Sequence, residues 1–265
     1  MELITSRRNP LVGRLRALHQ ARGRREQGLL LLEGTHQLQE LLRLGLMPDQ
    51  LLATPAWMER HGGLLAACPV APQPVGEAVL AAVATTEQPD GVVVTLAASA
   101  LPQAAGQVGF VLALDQLQDP GNLGTLLRTA LAAGVEEVWL GGGADPLQPK
   151  VLRASAGAAL ALPLRRSADR AELTGWVKAA VGRGQQVVAT LVDGGQAQPY
   201  WQLDWTRPTV LLLGNEGAGL DGELAALASH RVTIPHSGAV ESLNVAVAAA
   251  PLLLERWRQE RMPAI

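Results

Sequence analysis

Three short segments of this 265-residue chain set polar residues among glycines or at the ends of apolar runs, where a fold can present them to a ligand. Asp119-Pro120-Gly121-Asn122-Leu123-Gly124-Thr125-Leu126-Leu127-Arg128 follows the apolar run Val108 to Leu114. On a helix, Gly124 and Arg128 are four residues apart and share a face, so a small residue leaves room for a sugar or a phosphate to approach the guanidinium. Asn122 stands where it can cap that helix and offer an amide. The plainer alternative is a capping asparagine and a surface arginine.

Leu213-Gly214-Asn215-Glu216-Gly217-Ala218-Gly219-Leu220 closes a second apolar run, Thr209 to Leu213. Its glycines permit positive φ and close backbone approach, which a tight loop around a flat ring or a ribose requires. Glu216 is the distinctive member: a carboxylate at a strand's carboxyl end can hold an arginine or orient a substrate. It would equally suit the N-terminal dipole of the helix that follows. There is no G-x-G-x-x-G, which disfavours a conventional dinucleotide cleft. Gly141-Gly142-Gly143 reads as an ordinary loop.

Ile234-Pro235-His236-Ser237-Gly238-Ala239-Val240-Glu241-Ser242-Leu243-Asn244-Val245 is the third segment. It leads into a long final helix, expected from Ser242 to about Gln259 with Ser242 as its cap and Leu243 and Asn244 in its first turn. Backbone groups ahead of that helix would stay free for a ligand. Pro251 should bend it. His236 reads as a loop histidine, although imidazole titrates near working pH. A fourth stretch, Pro149 to Ala158, carries Lys150, Arg153 and Ser155 as candidate phosphate contacts, with helix solvation an equal reading of the lysine.

The elements that must position these residues are legible from periodicity. Asn9 caps and Pro10 begins an amphipathic helix running to about Gln20. Leu29–Leu32, Leu51–Ala53 and Val92–Val94 read as strands, with a helix over His36–Leu44, and the alternation predicts a small α/β module. After it, Val108–Leu114, Val138–Leu140, Gln186–Val192, Thr209–Leu213 and Arg231–Ile234 read as strands. A helix from about Asn122 to Gly134 and others near 150–160, 169–181 and 219–228 alternate with them. Such a chain predicts a mostly parallel sheet covered on both faces, with ligands at the carboxyl ends of its strands. Residues 99–107 lie in a small, uncharged, aperiodic stretch and read as a linker, separating domain 1–98 from domain 108–265.

Bulk composition bounds the function. A net charge of −2 argues mildly against a nucleic-acid partner. Its distribution argues the other way, because Arg7, Arg8, Arg14, Arg16, Arg22, Arg24 and Arg25 face only Glu2 within the first 25 residues. A solvated amphipathic face is the competing reading. The single cysteine, Cys68, excludes an internal disulfide and fits a reducing cytoplasm. No apolar run approaches the ~20 residues of a membrane span, and no metal-ligand spacing occurs.

The three segments together, in this order and spacing, resemble the SpoU (TrmH) family of RNA ribose 2′-O-methyltransferases. The stretch Lys150-x-x-Arg153-x-Ser155-x-Gly157-Ala158 is similar to a further family pattern. Ser6-Arg7-Arg8-Asn9-Pro10 and Leu31-Leu32-Glu33-Gly34 resemble the family's ribosomal-protein-like substrate-binding domain. The resemblance implies a knotted (trefoil) α/β methyltransferase domain behind that small α/β domain, S-adenosylmethionine as cofactor, no metal, and a cytoplasmic homodimer in which a residue from each subunit can complete a site. It implies that Asn122, Arg128, Glu216, Ser242 and Asn244 serve catalysis. Leu213, Gly214, Asn215, Gly217, Ile234 and Leu243 would hold the cofactor, and Arg7, Arg8, Arg14, Lys150, Arg153 and Ser155 would meet RNA. Ribosomal RNA is the expected substrate; transfer RNA, or a non-catalytic RNA-binding role on the same fold, are the alternatives.

Overall fold

The structure is a computed structural model that describes residues 1–104, 106, 108–191 and 197–261. Two compact units emerge: Met1–Leu101 with Leu147–Ala161, and Pro102–Pro146 with Leu162–Ile265. The chain first passes from one to the other at Leu101–Pro102, inside the expected linker, of which residues 105 and 107 lie outside the described residues. Leu147–Ala161, expected within the second domain, clusters with the first unit.

The first unit comprises α1 (Pro10–Ala17), α2 (Ala21–Gln27), β1 (Leu29–Glu33), α3 (Thr35–Arg43), β2 (Gln50–Ala53), α4 (Pro55–Arg60), α5 (Gly62–Ala67), β3 (Gln73–Pro74), α6 (Glu77–Val83) and β4 (Val92–Ala97). Asn9 Oδ1 accepts from Leu11 N at 2.9 Å and Pro10 opens α1, as the cap signal predicts. The helix stops at Ala17, short of the expected Gln20. Arg24, counted above among the basic residues, is buried: its Nη1 donates to the carbonyls of Leu18 and His19 that follow α1. It satisfies a helix end and is not part of a phosphate-facing surface. The sheet runs β1-β4-β2-β3, antiparallel except at its β2/β3 edge. Val12, Leu15 and Leu18 pack with Leu31, Val79, Leu80, Val83 and Val93 into its core.

The second unit holds β5 (Phe110–Leu114), α7 (Pro120–Ala132) and β6 (Glu137–Leu140). After α8 (Pro149–Ala154) and α9 (Ala158–Ala161) of the first unit come β7 (Leu164–Arg166), α10 (Arg170–Gly182), β8 (Gln186–Thr190), β9 (Gln198–Pro199), β10 (Thr209–Leu213), α11 (Gly222–Ala226), β11 (His230–Thr233) and α12 (Val245–Arg261). Val192, the expected last residue of β8, lies outside the described residues. Seven strands form one sheet in the order β7-β6-β5-β10-β8-β11-β9, and every pair is parallel. The continuous apolar runs of β5 and β10 sit at its centre, buried along their whole length, as strands covered on both faces must be. From β5 the chain steps outward through β6 and β7, then crosses to the far side of β10 for β8. Ligands collect at such a reversal, beyond the carboxyl ends of the strands.

Two helix expectations change. α7 begins at Pro120 with Asp119 as its cap, Asp119 Oδ1 accepting from Asn122 N at 2.7 Å, so Asn122 lies inside the first turn and its side chain is free for other work. α12 begins at Val245, capped by Asn244 and not by Ser242: Asn244 Oδ1 accepts from Ala246 N at 2.9 Å and Val247 N at 3.3 Å. It runs as one helix through Pro251. The carbonyl that loses its donor there belongs to Val247, on the solvent side of the helix, where water can replace the lost bond.

Candidate active site

The carboxyl ends of β10, β8 and β11 open into a pocket of about 510 Å³, within the ~300–1,000 Å³ of ordinary ligand sites. Leu213–Gly217 and Gly219–Leu220 form one wall, Thr190 and Leu191 another, and Val232–Ile234 with Glu241–Val245 close it. All six expected cofactor residues, Leu213, Gly214, Asn215, Gly217, Ile234 and Leu243, line this one cavity, together with Asn122, Glu216, Ser242 and Asn244.

Three polar side chains are joined in series. Asn244 Nδ2 donates to Asn122 Oδ1 at 2.9 Å, and Asn122 Nδ2 donates to Glu216 Oε1 at 3.3 Å. The direction of this chain is fixed at both ends. Asn244 must turn its oxygen to the amides of α12, and a carboxylate can only accept, so each intervening amide has a single orientation. Glu216 Oε2 also accepts from Gln118 N at 3.1 Å, and Oε1 from Asp119 N at 3.1 Å. The carboxylate therefore sits before the start of α7 and not at the helix that follows it in sequence, which Asp221 caps instead. Among the described residues it holds backbone amides and an asparagine, and no arginine. Partial burial works against its charge, but the amides of Gln118, of Glu216 itself and of Asp119, with Asn122, outweigh burial and hold its pKa below the ordinary glutamate value. An ionised, donor-saturated carboxylate is a poor proton acceptor; its physical role is to fix Asn122.

The glycine loop packs on itself. Asn215 and Gly219 exchange backbone hydrogen bonds at 2.9 and 3.0 Å. Asn215 Oδ1 accepts from Gly217 N and Ala218 N, both at 2.9 Å, while its Nδ2 donates to Gln116 O at 2.8 Å. The side-chain amide of Asn215 is thus committed to the loop and to the turn after β5, leaving backbone for a ligand. Gly219 adopts φ +71°. Gly214 does not have positive φ; a Cβ there would overlap the carbonyl carbon of Gly219 and the nitrogen of Leu220. Close approach of the loop to itself explains this glycine better than close approach of a ligand.

The other expected site residues are placed differently. Arg128 lies exposed on α7, outside the pocket, with no side-chain hydrogen bond or ion pair among the described residues, whereas Gly124 is buried. Ser242 lines the pocket, with no side-chain hydrogen bond among the described residues. His236 also lines it, its two ring nitrogens 3.0 and 3.3 Å from the carbonyl oxygens of Ile234 and Val240. Arg7, Arg8, Arg14 and Lys150 are exposed. Ser155 is fully buried, its hydroxyl donating to Leu152 O and accepting from Ala159 N, so it presents nothing to a phosphate. Arg153 turns inward to the buried carboxylate of Glu33 at 3.2 Å and to Thr85 Oγ1 at 2.5 Å. Sequence reasoning passed over Thr190 and Thr233, which line the pocket outside the three segments, and Glu241, which stands inside the third segment but was given no role there. It also missed Asp119 as a cap, although an aspartate before a proline is such a signal.

The pocket suits S-adenosylmethionine. Apolar Leu191, Leu213, Leu220 and Ile234 can cover a flat ring, and the polar rim of Thr190, Thr233 and Glu241 suits the hydroxyl and charged groups of an amphiphilic ligand. Among the described residues no cluster of side chains could hold a metal ion, and no helix is long and apolar enough to cross a membrane.

Comparison with known proteins agrees with this geometry. Residues 109–254 match the SpoU rRNA methylase family, and residues 9–94 match the MRM3-like substrate binding domain. The chain is 44% identical to a tRNA/rRNA methyltransferase of Synechocystis that is itself uncharacterised, over 97% of this chain and 94% of that one. It superposes on a crystal structure of an RNA 2′-O ribose methyltransferase with a TM-score of 0.83 and 30% identity, covering 98% of this chain and all of that one. A second structure, an AdoMet-bound rRNA methyltransferase from Sinorhizobium meliloti, gives a TM-score of 0.81 and 33% identity over 99% of each chain. The chain belongs to the SpoU rRNA methylase family of RNA methyltransferases, enzymes of the SPOUT class that take their methyl group from S-adenosylmethionine.

Proposed function

We propose that this protein methylates the ribose 2′-hydroxyl of a nucleotide in structured ribosomal RNA. The observation that carries the reading is the Asn244–Asn122–Glu216 chain, fixed in direction and facing a pocket built at the carboxyl ends of a parallel sheet. Support for ribosomal RNA comes from whole-chain similarity to the Sinorhizobium meliloti rRNA methyltransferase, including the segment that matches a substrate binding domain.

S-adenosylmethionine supplies a methyl group already activated by its sulfonium, so the protein's work is alignment and handling of one proton. In the transfer, the ribose oxygen forms a bond to the methyl carbon as the carbon–sulfur bond breaks, and the hydroxyl proton passes to water or to a neighbouring group. Asn122 presents an amide whose rotation is locked from both sides, and it positions the ribose. Ser242 and Asn244 complete the polar wall. Arg128 contacts the ribose or an adjacent phosphate and favours the developing alkoxide by charge. A guanidinium holds its proton too tightly to serve readily as a base, so it acts as an electrostatic activator. Because Arg128 is exposed and does not line the pocket of its own chain, the reading includes a homodimer in which it serves the partner's pocket. Leu243, Val247, Leu254 and Trp257 leave large apolar surface exposed for such a contact.

The test is transfer of labelled methyl from S-adenosylmethionine to ribosomal and transfer RNA in parallel, with light scattering on the same preparation. Label confined to transfer RNA would reassign the substrate, and a monomer that is fully active would remove the shared-site arrangement.

A further inference from the structure

Asp115 lies immediately beyond β5 and is absent from every role assigned above. Its side chain is 2% exposed, an environment in which a charged carboxylate is expensive to keep without partners. Two of its partners belong to the base of the glycine loop. Asp115 N donates to Leu213 O at 2.9 Å, where that loop begins. Asp115 Oδ2 accepts from Asp221 N at 3.1 Å, where it ends. One residue therefore ties both ends of the segment Gly214–Leu220, whose middle lines the pocket.

Arg170, at the start of α10, completes the tie. Its Nε is 3.3 Å from Asp115 Oδ1 and its Nη1 is 3.1 Å from Asp221 Oδ2, so a single guanidinium bridges two carboxylates. Asp221 Oδ1 meanwhile caps α11 through Glu223 N at 2.9 Å and Leu224 N at 3.4 Å. The next residue after Asp115, Gln116, adopts φ +55°, a conformation unfavourable for a side chain with a Cβ, and its carbonyl receives Asn215 Nδ2. Local backbone strain is thus held at the point where the β5–α7 turn grips the loop. That loop also carries Glu216, which orients Asn122.

We infer that Asp115 is a positioning residue for methyl transfer: with Arg170 it closes the base of the glycine loop and so holds the cofactor wall of the pocket in its binding shape. The inference rests on the methyltransferase reading above. It touches no reacting atom, and its effect reaches the reaction through the loop.

The test compares Asp115→Asn, Asp115→Ala and Arg170→Gln with the wild type. Asparagine keeps an acceptor for Asp221 N–H but sets an amide against the Arg170 donor, whereas alanine removes both ties. S-adenosylmethionine binding is measured by calorimetry, steady-state KM is measured separately for cofactor and RNA, and amide hydrogen exchange is followed at Asn215–Asp221. The cofactor Kd should weaken at least about fivefold in Asp115→Asn, the lower end of ordinary coupling between sites, and further in Asp115→Ala. KM for cofactor should rise in parallel, KM for RNA should hold, and exchange at the loop should accelerate even without cofactor. Arg170 is half-exposed, so Arg170→Gln remains a usable probe if Asp115→Ala does not fold. A folded Asp115→Asn or Arg170→Gln with cofactor Kd and loop exchange within twofold of wild type overturns the inference. A wild type that binds no S-adenosylmethionine overturns the methyltransferase reading instead, while the exchange comparison still judges the tie.

Discussion

Asn244 Nδ2 donates to Asn122 Oδ1 at 2.9 Å, joining residues 122 positions apart in the chain. The same Asn244 side chain caps α12 through its oxygen. Helix stability and active-site geometry therefore share one amide group, and the two uses can be separated by changing only one of its atoms.

Asn244→Ala should lose the cap, about 1 kcal/mol, lowering the unfolding midpoint by roughly 2–4 °C. Asn244→Asp keeps an oxygen for the cap but turns an acceptor toward Asn122 Oδ1. Its midpoint should stay near wild type while methyl transfer falls by about 10²-fold, the usual scale for a misplaced reacting group. Calorimetric unfolding and turnover on the same samples check this; equal activity in Asn244→Asp and wild type would show that Asn122 needs no such orientation.

Gly214→Ala should weaken S-adenosylmethionine binding at least about tenfold, because the added methyl meets backbone of Gly219 and Leu220, which cannot swing aside as a side chain can. Gly217→Ala, where the added Cβ meets only Asn215 Oδ1 at 3.7 Å, should bind far closer to wild type. Calorimetry on both variants distinguishes loop packing from ligand contact as the reason for glycine.

Glu33 supplies a pH prediction. Burial opposes its charge, yet the Thr86 and Thr85 hydroxyls and amides outweigh burial and hold its pKa below the ordinary glutamate value. A depressed folded-state pKa gives stability that is present above the ordinary glutamate value and lost as pH falls through the lowered one. Glu33→Gln should therefore destabilise the protein by about 1–3 kcal/mol at neutral pH, with the gap to wild type closing as pH falls below the ordinary glutamate range. Urea unfolding at pH 7 and near pH 3 checks both size and sign; a gap that widened in acid would refute the assignment.

Arg128→Lys should cut turnover severely with little change in unfolding midpoint, since the side chain has no hydrogen-bond or ion-pair partner among the described residues and lysine cannot reproduce a planar, bidentate contact. Near-normal turnover would remove the planar role. Mixing Arg128→Lys with a pocket variant such as Asn122→Ala should restore part of the activity if each protomer's arginine serves the other's pocket.

Replacing Arg7, Arg8 and Arg14 together with glutamine should weaken RNA binding and reduce the salt slope by about one per lost phosphate contact, leaving cofactor affinity unchanged. Filter binding across a salt series measures both quantities.

Much of this was legible before any coordinates. The central strands announce themselves as unbroken apolar runs, and Thr209–Leu213 matches β10 residue for residue. The residues that line the pocket were named through the family resemblance, because a glycine-rich turn at a strand end reads by itself as an ordinary loop. What sequence could not give was partnership across distance. Asp119, three residues before Asn122, takes the cap and frees that asparagine. Nor does spacing reveal that Arg153 and Ser155 point into the first unit, since an amphipathic helix reads the same whether its polar groups meet water or a buried glutamate. Arg24 misled for the same reason: its charge is visible in sequence, its burial against helix carbonyls is not.

The central claim is tested most directly by incubating the purified protein with S-adenosylmethionine carrying a labelled methyl group and unmodified ribosomal RNA, then digesting the RNA to nucleosides and separating them. The account predicts label in a single 2′-O-methylated nucleoside, abolished by Asn122→Ala and reduced by Gly214→Ala at limiting S-adenosylmethionine. Label on a base, or no label from protein that binds S-adenosylmethionine, would contradict it.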